Sequence, residues 1–354
     1  MAGRHRKGPR AVALGLLAVL IAANMLAGGY VALQSLEREE VAAGRDDRQS
    51  PKPAAPTAAP VAAPSPTPDP RGRLIIHGTG DVNLDPSYIS SFAANGYEYA
   101  WSGLDGLFQQ DDLTVVNLEC PASDEGAIIP KEFNFRCDPA ALPAMREAGV
   151  EVANQANNHG YDFGPEALLD SVANLRRAGI EPVGAGRDDR AALRPAILEI
   201  DGWVVAVVGL GMVVDPAEGV AGPDHPGIAA GHDTAAMLRA IEDAESRADL
   251  VIVTIHWGVE LDTEPRAEQV ALGQEFVEAG ADIVFGHHAH RLQPVTHYQG
   301  RPIFWGLGNF VWPNFSAEGS TTAVARAIVR PDGSVRGTLL PAFIEAPGHP
   351  VLTG

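Results

Sequence analysis

From residue 73 onward the apolar positions fall into short runs that end in glycine and polar residues, the signature of buried strands. Arg73 to Ile76 opens one such strand, which leads to Gly78-Thr79-Gly80-Asp81. Leu113 to Val116 opens a second, leading to Asn117-Leu118-Glu119. Val150 to Ala153 is a weaker third that runs into Asn157-Asn158-His159-Gly160. Helices are predicted on either side of it, over Pro139 to Ala148 and over Pro165 to Ala178, the latter opened by proline and closed at Gly179. Further on, Leu250 to Ile255 ends at His256-Trp257-Gly258. After a helix predicted over Pro265 to Ala279, Ile283 to Phe285 ends at Gly286-His287-His288-Ala289-His290. Both of these runs are continuously apolar, as strands covered on two faces must be.

Elsewhere the pattern changes to hairpins. Ala196 to Ile200 and Trp203 to Val208 flank Asp201-Gly202, a strong two-residue turn signal. Pro294 to Tyr298 and Pro302 to Trp305 flank Gln299-Gly300, while Thr322 to Val329 and Ser334 to Leu340 flank Pro331-Asp332-Gly333. Strand–helix alternation combined with hairpins predicts an α/β fold of two packed, mixed sheets flanked by helices.

The segment before residue 73 has a different character. Arg4, Arg6, Lys7 and Arg10 precede an uncharged run from Ala11 to Leu33, long enough as a helix, at about 35 Å, to cross a bilayer. The expected organisation is a cytoplasmic basic tail (1–10), a transmembrane signal-anchor helix (11–33) and a disordered Pro/Ala-rich linker (34–72). An extracytoplasmic domain (73–346) and a short C-terminal tail (347–354) follow. Cleavage of a signal peptide near Ala23-Asn24-Met25-Leu26-Ala27 is the alternative, and it would release a secreted domain. Residues 71–354 carry 18 Lys and Arg against 39 Asp and Glu, a net charge of about −21, which argues against nucleic acid as a partner. Cys120 and Cys137 are the sole cysteines. They form either a disulfide, as an exported domain permits, or two buried thiols, and they are too few for a thiolate zinc cluster.

Five predicted strand ends carry a residue able to bind a hard or borderline cation: Asp81, Glu119, Asn158 with His159, His256, and His288 with His290. Each has a bland reading of its own as a turn cap, a solvated acid or a core histidine. Together they fit the rule that ligands gather beyond the carboxyl ends of sheet strands. Carboxylate, carboxamide and imidazole suit Mn, Fe, Zn or Mg. Six candidate ligands exceed one tetrahedral site, so two divalent ions bridged by Glu119 are expected, with His159 left to orient or protonate a leaving group. Arg291, next to the histidine cluster, could grip a carboxylate or stand as an exposed salt-bridging arginine. Trp101, Trp257, Trp305 and Trp312 either line a groove or fill the core.

Taken in order, Gly80-Asp81-Val82, Asn117-Leu118-Glu119, Asn157-Asn158-His159 with Asp162 and Gly164, His256-Trp257-Gly258 with Glu260, Gly286-His287-His288-Ala289-His290 and Leu307-Gly308-Asn309-Phe310 resemble the CapA family of poly-γ-glutamate capsule synthesis proteins. The resemblance spans roughly residues 73 to 312. It implies a four-layer αββα sandwich like that of calcineurin-like metallophosphoesterases. It makes Asp81, Glu119, Asn158, His256, His288 and His290 the metal ligands and His159 the catalytic histidine. His287, Asn117, Asp162 and Glu260 become supports behind the ligands, and Arg291, Asn309 and Asn83 become candidates for substrate contact. Two positions depart from the phosphoesterase pattern: Asn83 stands where a histidine is usual, and Asn117-Leu118-Glu119 replaces a Gly-Asp motif.

The resemblance implies a membrane-anchored, metal-dependent hydrolase or transferase for synthesis or export of poly-γ-glutamate or a related anionic cell-envelope polymer or its precursor, with a membrane synthase or export complex as a further candidate partner. Two other readings stand next to it. One is a non-catalytic scaffold whose metal centre is structural; the other is a secreted metallophosphoesterase.

Overall fold

The computed structural model describes residues 71–229 and 231–354. The expected basic tail, anchor helix and nearly all of the linker lie outside these residues. No helix among the described residues is long and apolar enough to cross a membrane.

The strands in chain order are β1 (Leu74–Val82), β2 (Leu113–Leu118), β3 (Val152–Asn154), β4 (Glu181–Val183), β5 (Ala185–Gly186), β6 (Ala196–Ile200), β7 (Trp203–Gly211) and β8 (Gly227–Ile228). They continue as β9 (Leu250–His256), β10 (Ile283–His287), β11 (Val295–Tyr298), β12 (Arg301–Phe304), β13 (Asn309–Val311), β14 (Thr321–Val329), β15 (Val335–Ala346) and β16 (His349–Leu352). An eight-stranded sheet runs β16-β15-β14-β1-β2-β3-β4 with β13 paired to β1, and a six-stranded sheet runs β11-β12-β10-β9-β7-β6. Both are mixed. β1 to β4 are parallel to one another, as are β7, β9, β10 and β12, and the hairpin partners run antiparallel.

Strand alternation divides the core three ways. Leu250 and Ile252 of β9 join Leu74, Ile76, Val205, Val207 and Phe285 in a core shared by residues of both sheets. Val251, Val253 and Ile255 point the other way and pack with Met237, Ile241 and Phe276 of the helices Thr234–Glu245 and Ala267–Glu278. On the eight-stranded sheet, Val116, Leu118 and Ala153 pack with Leu142 and Met145 of the helix Leu142–Glu147. Two-sided burial is why these strands read as unbroken apolar runs.

Two expectations change. The segment 347–354 is not a tail, because β16 pairs antiparallel with β15 and extends the sheet. Asn309, expected only as a substrate contact, also has a structural place: it opens β13 and lies in register with Asp81 of β1, in the other sheet from β12. That crossing needs glycine. A Cβ on Gly80 would lie 2.2 Å from the carbonyl oxygen of Gly308, and Gly308 itself has φ of 71°. Asp81 N–H donates to that same carbonyl at 2.9 Å.

Candidate metal centre

The parallel strands of both sheets deliver their carboxyl ends to one place. Asp81 lies near the end of β1, Glu119 directly follows β2, His256 closes β9, and His287 closes β10 opposite His256 in register. His288 and His290 sit in the turn beyond, at φ of 89° and 51°, a left-handed backbone that is costly for residues with a Cβ.

Around Nε2 of His256 converge Asn158 Oδ1 at 2.7 Å, His288 Nδ1 at 3.1 Å and Glu119 Oε1 at 3.5 Å. His290 presents Nδ1 to Asn309 Oδ1 at 2.8 Å and to Asp81 Oδ2 at 3.1 Å, while its Nε2 lies 3.8 Å from Glu119 Oε1. With acceptors on its Nδ1 side, His290 keeps that proton and frees Nε2 as a ligand atom. Two sets of donor atoms each lie within 4.8 Å of one another: Asp81, Glu119 and His256, and Glu119, His288 and His290. Glu119 belongs to both.

Glu119 is completely buried, and neither carboxylate oxygen has a hydrogen-bond partner. Asp81 Oδ2 meets only the His290 ring, at 3.1 Å, and His287 Nδ1 is buried with no hydrogen-bond partner. A buried carboxylate with no donor is among the most costly arrangements in a protein. Burial, then the charge of Asp81, pushes the Glu119 carboxyl well above the usual range. Burial opposes ionisation of Asp81 too, but its hydrogen bond with His290 and the charges of His290, His287 and His288 hold it low. Burial lowers His287 to about 4. His288 also falls to about 4, through burial and then its neighbour His290. His256 is pushed well below normal by burial and then by His288. His290 alone is raised: burial works against it, and Asp81 overcomes that. Imidazoles held neutral at His256, His287 and His288, beside the orphaned oxygens of Glu119, are a lone-pair-rich set that a divalent cation would satisfy. Asn158, Asp81, Glu119, His256, His288 and His290 fit that role.

The supporting residues fall into place around this set. Asn117 donates to Asp81 Oδ1 at 2.9 Å, lies 3.2 Å from His256 Nδ1, and accepts from Asn154 and Asn157. His287 meets Thr254 Oγ1 at 3.1 Å and holds Nδ1 3.6 Å from Asp81. His159 sets Nδ1 2.8 Å from Asp162 Oδ2, and burial lowers its pKa against the pull of Asp162. Glu260, His159, His290, Arg291 and Asn309 line a cleft of about 350 Å³ together with Tyr88, Phe135, Trp312 and Phe315. Arg291 donates to the carbonyl of His290 at 2.8 Å. Asn83 is the exception among the expected substrate contacts. It is fully buried and does not line the cleft, with Oδ1 taken by the Asp85 N–H at 2.8 Å and Nδ2 unpartnered. Trp101, Trp257 and Trp305 are core residues, and Trp312 packs in the core while also walling the cleft.

One participant is absent from the sequence expectation. Lys131 Nζ lies 2.6 Å from Asp162 Oδ1 and also donates to the carbonyl of Asn158, so one ammonium braces both the His159 partner and a ligand-bearing turn. Its signal is compositional: it is the sole lysine among residues 71–354, beside 17 arginines. The loop that bears it is closed by the Cys120–Cys137 disulfide, whose Cα atoms are 5.5 Å apart, and the two-thiol alternative is set aside.

Fold and site together define an α/β protein of two mixed sheets with a candidate metal centre at their joined strand ends. The family model for "Bacterial capsule synthesis protein PGA_cap" matches residues 76–314, and the chain belongs to that family. Similar proteins include the PGA biosynthesis protein CapA of Bacillus subtilis (strain 168), 28% identical over 277 residues, covering 77% of this chain and 72% of that one. The capsule biosynthesis protein CapA of Bacillus anthracis is 28% identical over 281 residues, covering 77% and 68%. A probable polyglutamine synthesis accessory protein of Mycobacterium tuberculosis (strain ATCC 25618 / H37Rv) is 34% identical over 212 residues, covering 56% and 55%. Among solved structures, the NAD nucleotidase of Haemophilus influenzae has a TM-score of 0.46 at 14% identity, covering 80% of this chain and 54% of that one, a likeness too remote to inform the chemistry.

Proposed function

We propose that this chain serves the synthesis or export of a polyglutamate-type capsule or cell-envelope polymer as a metal-dependent hydrolase or transferase of four-layer, calcineurin-like architecture. In this reading the N-terminal segment holds the domain outside the cytoplasm. Family membership supports the polymer. The metal-dependent chemistry rests on Glu119, a fully buried carboxylate with two unpartnered oxygens that is common to both ligand sets. A pair of divalent cations, when bound, would supply an acidified water and polarise the carbonyl or phosphoryl oxygen under attack.

The remaining tasks fall to side chains of the chain. His159, fixed through Nδ1 by Asp162, turns Nε2 to the cleft, where it exchanges a proton with the leaving group. Lys131 holds Asp162 in place through its ion pair at 2.6 Å. Arg291 offers its guanidinium to a substrate carboxylate at the cleft wall.

Elemental analysis of the purified chain, joined to a turnover screen over γ-glutamyl amides and phosphoesters, tests this reading. Bound divalent metal and γ-glutamyl turnover that His288→Ala abolishes are expected. Metal-free protein with no turnover would leave a scaffold role, and aryl phosphate hydrolysis lost on changing Glu119 would shift the assignment to a phosphoesterase.

A further inference from the structure

A polyglutamate-type partner is itself a polyanion, and residues 71–354 carry more than twice as many acidic as basic side chains. Contact over a broad surface is therefore repulsive, and attraction must be local. One groove supplies it. Four arginines, Arg176, Arg187, Arg194 and Arg247, line a cavity of about 730 Å³, and the sole lining carboxylate is Glu181. The groove draws its walls from β4 and β6, the outermost strands of the two large sheets, and it shares no residue with the cleft over the metal centre.

The arginines differ in how they are engaged. Arg187 pairs with Asp188 at 3.2 Å and Arg247 with Asp243 at 3.0 Å, both at exposed positions where an ion pair holds little and exchanges readily. Arg176 and Arg194 are exposed and make no ion pair with any described residue. Unpaired guanidinium groups are conspicuous in a domain so rich in carboxylates. Between them the floor is apolar, with Val172, Pro182, Ala185, Pro195 and Ile197. No aromatic side chain lines it, so it offers no stacking platform for bases.

We propose that this groove is a second binding site, for a polycarboxylate chain with an aliphatic backbone. It rests on the reading that the protein handles a polyglutamate-type polymer. Guanidinium forks take carboxylates bidentately, and the apolar floor takes the methylene units between them. Held there, one stretch of polymer raises the effective concentration of another at the metal centre.

Titration calorimetry of the full chain with poly-γ-glutamate, at low and at physiological salt, tests the site. Arg176→Ser with Arg194→Ser is expected to weaken binding at least about tenfold, and added salt to weaken it further. The loss caused by the double arginine variant should persist at similar size in chelated protein, since metal-site contact is a separate term. Arg194→Lys, which keeps the charge and loses the fork, should fall between wild type and the double variant, with a circular dichroism spectrum like that of wild type. Unchanged affinity in the double variant overturns the proposal, as does a polyphosphate of matched length that competes equally well. If the wild type ignores poly-γ-glutamate but binds polyacrylate through Arg176 and Arg194, the groove stands and the polyglutamate reading falls. If no polycarboxylate binds, the groove proposal falls, whatever the metal centre does.

Discussion

Lys131→Met keeps the aliphatic stem and removes the ammonium. In the native domain that ammonium lies 2.6 Å from Asp162 Oδ1, with the lysine side chain 8% and the aspartate 0% exposed. The substitution strands a buried carboxylate whose remaining partners are the Phe135 N–H at 2.7 Å and the His159 ring at 2.8 Å. Truncating one member of a buried pair costs about 3 to 5 kcal/mol, and the two surviving hydrogen bonds put this case near the lower end, about 3 kcal/mol. At roughly 2 °C per kcal/mol for a domain of this size, the melting temperature should fall by about 6 °C. Asp162→Asn leaves Lys131 buried without its counter-charge and should cost a similar amount. The double variant removes both charges and should cost about 2 kcal/mol less than the sum. Urea unfolding of the four proteins, followed by tryptophan fluorescence, closes the cycle. A Lys131→Met variant within about 0.5 kcal/mol of wild type, or strict additivity, would refute the claim that this pair braces the site.

Glu119→Gln removes an unpaired buried charge, so the metal-free variant should melt at or above wild type. It should also lose the stabilisation of about 2.7 kcal/mol that a cation at 100 times its Kd gives wild type; scanning calorimetry with and without Mn²⁺ decides, and a variant stabilised as wild type is would sink the bridging role. His287 and His288 drop from 6.5 to about 4 on folding. The unfolded chain therefore takes up protons between about pH 6.5 and 4 that the folded domain refuses, and stability should decline as pH falls through that window. Glu119, raised in the metal-free fold, opposes this with one proton of its own, so metal-loaded protein should show the steeper decline in urea midpoints between pH 4.5 and 7. Replacing Cys120 and Cys137 by serine opens a loop of 17 residues and should cost about 3 kcal/mol, read from the urea midpoint under non-reducing conditions.

The sequence was most legible where both backbone pattern and chemistry were local. Leu250–His256 and Ile283–His287 announced themselves because two-sided burial demands unbroken apolar runs, and Asp201-Gly202 marked its hairpin through turn geometry. The helix Thr234–Glu245 carried a readable signal as well, with Asp233 capping Ala236 N–H and Met237, Ala240, Ile241 and Ala244 on one face, but the periodicity reading did not place it. Three-residue β13 and four-residue β16 are too short to show a period, and only tertiary pairing makes them strands. Asn83 stands at a motif position that made it a candidate for substrate contact, yet it is fully buried with its Oδ1 taken by the Asp85 N–H. Lys131 is 31 residues before Asp162, in a loop without regular structure, so its role is invisible until the disulfide and the Asn158 turn bring the pieces together.

The left-handed residues at 288 and 290 bear on how relatives of this protein can be sorted. A histidine held at positive φ costs about 1 kcal/mol relative to glycine, which adopts that backbone freely. Selection for stability alone would drift both positions to glycine. If the two histidines bind a cation as proposed, relatives that bind it should keep both, and Gly-x-Gly is expected there only where the cation has been lost. The same reasoning bears on mutagenesis of these sites: alanine removes the ligand and keeps the strain, glycine removes both, and the difference between the two variants measures the strain.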